Sequence, residues 1–165
     1  GDVDHFDKRL FNTKWKPEHV NIAFLERFLK LARRHKIPVA LVMMPLAPQT
    51  QSFRDEIGAD EEYRALLRIA VERFDNVTVI DGRFSGYDET VFVDATHFND
   101  KGASIFTSQL ARAIRPILAG RISEKKEDRW VSMPKVDPNR RSWMALESVH
   151  DSAVAIDWVP LPKRR

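Results

Sequence analysis

From Ile37 to Met44 the chain is an almost unbroken apolar run, Ile-Pro-Val-Ala-Leu-Val-Met-Met, stopped by Pro45 and Pro48. A strand with one face in water alternates apolar and polar residues. A short run that is apolar in both registers needs cover on both faces, as parallel strands of α/β folds do. It follows a helical pattern that opens at Pro17, a residue suited to the first helical position. Val20, Phe24, Phe28, Leu31 and Ala32 recur at helical spacing on one face, with Glu26, Arg27, Lys30 and Arg33 opposite. That helix is expected to end near His35-Lys36, because Pro38 biases its predecessor away from helix.

The alternation continues. Asp60 begins a second helical pattern in which Tyr63, Leu66, Leu67, Ala70, Val71 and Phe74 keep a three-to-four spacing. Val77 to Ile80 is a second short, β-branched strand, closed by Asp81-Gly82. A loop through Gly86 leads to a third helix marked by Ile105, Phe106, Leu110, Ile114, Ile117 and Leu118 and ended by Gly120. This order predicts an α/β fold with a parallel sheet between helices. Two strands alone leave unpaired apolar edges, so further strands are expected from elsewhere. Residues 1–16 read as an irregular N-terminal segment, in which Asp2, Asp4, His5 and Asp7 have nothing to fix them as metal ligands. Residues 17–120 form the α/β region. Residues 121–165 form a C-terminal extension carrying Trp130, Trp143 and Trp158, with Val154–Val159 readable as an added strand or arm.

Composition narrows the function. A chain of 165 residues that is 43% hydrophobic supports a real core, and 31% charged residues read as a soluble protein. No apolar run approaches the roughly 20 residues of a membrane helix. The first residue is Gly1, not Met, which fits a processed or excised piece. Cysteine is absent, so there is no disulfide and no cysteine zinc site. A net charge of +3, with small clusters at Arg140-Arg141 and Lys163-Arg164-Arg165, gives no basic stripe for a nucleic acid. His19, His35 and His97 are far apart, with no partner at metal-ligand spacing. No cofactor is implied.

Chemistry concentrates in Asp94-Ala95-Thr96-His97-Phe98-Asn99-Asp100-Lys101-Gly102. A carboxylate three residues before a histidine, in a loop, can reach one ring nitrogen and leave the other to take a proton from a nucleophile. The competing reading makes Asp94 or Asn99 a helix cap and His97 an ordinary loop residue. Asp81, at a strand end, lies where ligands gather in open parallel sheets, though strand ends often turn on such residues.

Three blocks resemble the C-terminal half of SGNH (GDSL-type) hydrolases, over about Pro17 to Ala119. Ile37-Pro38-Val39-Ala40-Leu41-Val42-Met43-Met44-Pro45-Leu46 resembles the penultimate sheet strand. Val77-Thr78-Val79-Ile80-Asp81 resembles the last strand. Asp94 to Gly102 resembles the Asp-x-x-His block followed by Asn-x-x-Gly. The nearest branch is that of teichoic-acid D-alanylation and alginate O-acetylation proteins. The resemblance implies a three-layer α/β/α sandwich with a flavodoxin-like sheet, and makes Asp94 and His97 two members of a Ser-His-Asp triad. It implies acyl ester or carbohydrate substrates and an extracytoplasmic or periplasmic setting.

The chain departs from the pattern where the family carries its serine block and its oxyanion-hole glycine and asparagine. Ser52, Ser85, Ser104 and Ser108 have no strand–turn–helix elbow, and Ser148, His150, Asp151 and Ser152 are too close in sequence to fold into a triad. The expectation is therefore the His/Asp-bearing part of a serine ester hydrolase or O-acyltransferase, its serine supplied by a missing N-terminal half or a second chain. The alternative is a non-catalytic interaction module that binds a protein through its C-terminal extension.

Overall fold

The computed structural model describes residues 16–136. Helix α1 (His19–Arg34) leads into strand β1 (Val39–Met43). Helices α2 (Pro48–Glu56) and α3 (Glu61–Arg73) follow, then β2 (Val77–Asp81), α4 (Asp100–Leu118) and β3 (Trp130–Ser132). All three strands are parallel, in the order β1-β2-β3. The fold is mixed α/β, as the alternation predicted. The segments holding Asp2, Asp4, His5, Asp7, Trp143, the Ser148–Ser152 cluster, Trp158 and Val154–Val159 lie outside the described residues.

Strand side chains alternate between two cores. Val39, Met43, Val77 and Val79 join Leu29 and Ala32 of α1 and Leu67, Ala70 and Val71 of α3. Ala40, Val42 and Ile80 point to the other face, with Ile105, Phe106 and Ile117 of α4. Every residue of β2 is buried, and Val77, Val79 and Ile80 are wholly shielded. Each such side chain contributes about 1.5–3 kcal/mol of burial. Both crossovers step in the same lateral direction, yet α3 lies on one face and α4 on the other. The two are therefore of opposite hand, and one departs from the right-handed rule.

Two expectations need correction. The run Ile37–Met44 was expected to lie inside the sheet, yet among the described residues β1 pairs on one side only, with β2. The face assigned to the core of the first helix is also displaced. Leu29 and Ala32 are buried, with Leu25 packed beside them, while Val20, Phe24, Phe28 and Leu31 are 53–62% exposed. The helix carries two adjacent apolar stripes, and the described sheet covers only one. The exposed stripe belongs to the helix that leads into β1, whose second edge carries no strand among the described residues.

Smaller elements have local causes. Lys36, at φ 55°, ends α1 by letting the Ile37 amide donate to Ala32 O at 2.9 Å. Within the extension, Trp130 begins β3 and packs on the α1/α3 core, with the Arg68 guanidinium over its ring. Arg129, just before it, is buried and donates to the carbonyls of Phe74 (2.5 Å) and Val77 (3.4 Å). This ties the third strand to the start of the second.

Candidate active site

Residues 92–98 form a pinched loop. Phe92 and Phe98 pair in an antiparallel bridge, and their rings stack at 4.7 Å. The Val93 amide donates to His97 O at 2.8 Å, and the Asn99 amide to Val91 O at 3.0 Å. Phe98 also packs on Tyr87 and Phe106, so the base of the loop is anchored in the α4 core. Asp94, Ala95, Thr96 and His97 are thereby carried at its tip.

Asn99 is the N-cap of α4. Its side-chain oxygen accepts from the Gly102 amide at 3.0 Å, and its side-chain nitrogen donates to Thr90 O at 2.8 Å. Capping and dyad formation are thus divided between residues. Asn99 caps the helix, which leaves Asp94 to serve its own loop.

The Asp94 carboxylate accepts from the Thr96 amide (2.8 Å) and the His97 amide (2.9 Å). It also meets His97 Nδ1, at 2.8 Å through Oδ2 and 2.9 Å through Oδ1. Thr96 Oγ1 lies 3.0 Å from the same ring nitrogen. With Asp94 ionised, Nδ1 carries the proton and Nε2 presents its lone pair. Both side chains are open to solvent, His97 at 75% and Asp94 at 54% exposure. Among the described residues nothing walls the dyad off from water.

The hydrogen bonds from Thr96, then the His97 ring, hold the Asp94 carboxyl well below the ordinary carboxylate range. A depressed folded pKa stabilises above the unfolded value of about 3.9 and is lost as pH falls through the folded one. Asp94 should therefore stay ionised at pH 3, where ordinary aspartates are mostly protonated. A carboxyl ¹³C titration reads this directly, and a midpoint for Asp94 at or above about 3.9 would refute it.

The dyad stands over the end of β1. The Ala47 amide, in the loop after that strand, donates to Ala95 O at 3.1 Å. Below Thr96 lies a cavity of about 450 Å³, walled by Met43, Met44 and Leu46 and reached by Gln51, Arg54 and Arg83. Dyad and cavity thus share the carboxyl-end side of the sheet, above the strand whose outer edge is unpaired among the described residues.

Asp81 does not meet the dyad. It takes a bidentate grip from Arg83, Nε at 3.0 Å and Nη2 at 2.8 Å. Burial alone would raise its carboxyl, but the hydrogen bonds and charge of Arg83 outweigh that and hold it below the usual range. Thr96, Gln51 and Arg83 were not singled out from sequence. For Arg83 the signal was there, a basic residue two after the strand-ending aspartate.

No serine hydroxyl is hydrogen-bonded to His97 among the described residues. Ser85 is wholly buried, which removes it as a nucleophile. No group of three or more metal-ligating side chains occurs among the described residues, and no described helix is long and apolar enough to cross a membrane. Comparison of the chain with protein-family models, curated proteins and solved structures finds no match.

Proposed function

We propose that this chain carries the general-base half of a serine acyl-transfer site, an ester hydrolase or O-acyltransferase with an SGNH-like sandwich, whose serine is supplied by an N-terminal half or a second chain outside these 165 residues. The observation that carries this reading is the Asp94–His97 pair: one ring nitrogen held by a carboxylate, the other open to solvent. In the proposed reaction Asp94 fixes the tautomer and steadies the imidazolium. His97 Nε2 takes the proton of the attacking serine and returns it to the leaving alcohol.

The position of the pair supports the same reading. It stands above β1, whose outer edge, unpaired among the described residues, can accept another parallel strand, and the exposed stripe of α1 offers a helix-sized apolar contact to whatever brings that strand. A segment seated there would present its C-terminal turn on the same side of the sheet as His97. The exposed stripe equally serves a purely binding module, and activity separates the two.

The test uses a fluorophosphonate probe, which labels activated serines. The complete native gene product, with any chain that co-purifies, should be labelled at a serine outside these 165 residues, and His97→Ala should suppress that labelling. The isolated 165-residue chain should show little labelling and little turnover of simple acyl esters. Labelling indifferent to His97 would overturn the reading, as would robust turnover by any serine of the 165-residue chain itself.

A further inference from the structure

Three oxygens surround one ring nitrogen of His97, and only two of them belong to Asp94. Asp94 Oδ2 lies 2.8 Å from Nδ1, Asp94 Oδ1 2.9 Å and Thr96 Oγ1 3.0 Å. Thr96 Oγ1 also lies 3.2 Å from Asp94 Oδ1. The hydroxyl has one proton to give and two neighbours that can take it. The ionised carboxylate is the stronger acceptor, so the hydroxyl donates to Oδ1 and turns its lone pairs toward Nδ1. All three oxygens then face the ring as acceptors. Only a ring that carries its proton on Nδ1 fits among them, and a ring flipped to put a carbon there would lose all three contacts.

The backbone on either side of Thr96 is pinned. The Ala47 amide donates to Ala95 O at 3.1 Å, and the Val93 amide to His97 O at 2.8 Å. The Thr96 amide itself donates to Asp94 Oδ1 at 2.8 Å. Thr96 is half-buried, whereas Asp94 and His97 are exposed. A β-branched side chain is stiff at χ1, so the hydroxyl is delivered to this spot with little rotamer freedom left to lose. The carboxylate divides its work in consequence. Oδ1 accepts from two amides and the hydroxyl, which leaves Oδ2, the nearer oxygen, to the imidazole alone.

We propose that the Thr96 hydroxyl is a positioning group for His97: it completes the set of acceptors that holds the ring proton on Nδ1 and so aims the lone pair of Nε2 outward. Which nitrogen of a neutral imidazole carries the proton is set by the partners of the other, and here those partners are three, not the two of a bare Asp-His pair. The inference rests on the acyl-transfer reading for its effect on rate. The tautomer is a property of this chain alone.

The test has two readouts. Ring ¹⁵N shifts of His97 in the 165-residue chain, at about pH 9 where imidazole is neutral, report the tautomer. Turnover of p-nitrophenyl acetate by the serine-complete enzyme reports the rate. The parent ring should be mainly in the Nδ1–H form. Thr96→Ala removes the hydroxyl and leaves the backbone amide in place. It should lower the share of the Nδ1–H form and cut kcat by about tenfold, the low end for a hydrogen bond to a charged group, with KM little changed. Thr96→Ser returns the hydroxyl without the stiffening methyl, and should restore the parent tautomer and most of the rate. The inference is overturned if the parent ring is mainly in the Nε2–H form, if Thr96→Ala leaves the tautomer unchanged, or if Thr96→Ser behaves as Thr96→Ala does. It also falls if Thr96→Ala keeps the parent kcat in an enzyme that His97→Ala inactivates. A loss through KM alone would overturn it too, and would make Thr96 a substrate contact of the cavity it lines. The two readings fail separately. Turnover that ignores His97→Ala would defeat the acyl-transfer reading, whereas a tautomer that ignores Thr96→Ala would defeat this one.

Discussion

His97→Ala is expected to lower the acyl-transfer rate of the serine-complete enzyme by about 10³-fold or more, and to change nothing measurable in the isolated chain. The size follows from the role. Without the imidazole no group accepts the serine proton, so a neutral hydroxyl must attack. The carboxylate of Asp94 cannot substitute, because it is already committed to two backbone amides of its own loop. The loss should fall on kcat, with KM little altered, since Nε2 acts on the proton in flight and not on the resting substrate. Steady-state kinetics on an acetylated oligosaccharide checks this. A variant within a few-fold of the parent would show that the dyad is a loop brace and nothing more.

Gly102→Ala is expected to cost about 3 kcal/mol of stability and to disturb the dyad loop with it. A Cβ at this position would stand 2.2 Å from the carbonyl oxygen of Val91 and 2.6 Å from Cδ1 of Phe98. The first neighbour is backbone, held by the Asn99 amide, and the second is a ring stacked on Phe92. Neither can retreat without opening the pinch. Alanine is the better helix former by about 1 kcal/mol, but a clash with fixed backbone outweighs that gain. Urea unfolding measures the difference. Stability equal to the parent's would mean that the first turn of α4 can lift away from Val91.

This contact explains the spacing from Asn99 to Gly102, which was visible in the sequence only as part of a resemblance. Asn99 caps, and the residue three later must be small because the helix starts against the loop it caps. The long helices and the first two strands were legible for the usual reason: their apolar residues repeat at the period of the element. Helix α2 was hidden because Pro-Gln-Thr-Gln-Ser has no apolar repeat, although Pro48 at its first turn was a usable sign. Strand β3 was hidden because three residues are too few to show a period. The inner and outer faces of α1 were confused because its two apolar stripes adjoin, and only the packed sheet tells them apart. For the site, the Asp94–His97 pair is local and could be read. The cavity is assembled from several separate stretches between Met43 and Thr96, and no single stretch announces it.

The complete burial of β2 has a kinetic consequence. With a helix layer on each face and a strand on each side, its amides are released to solvent only when the whole body opens. Their hydrogen–deuterium exchange should therefore be the slowest in the molecule and should report the global unfolding free energy. On β1, whose outer edge is unpaired among the described residues, exchange should be faster by the margin between local and global opening. The ratio of the two rates becomes an internal clock for occupancy of that edge: anything that seats itself along β1 slows one hand and leaves the other almost where it was.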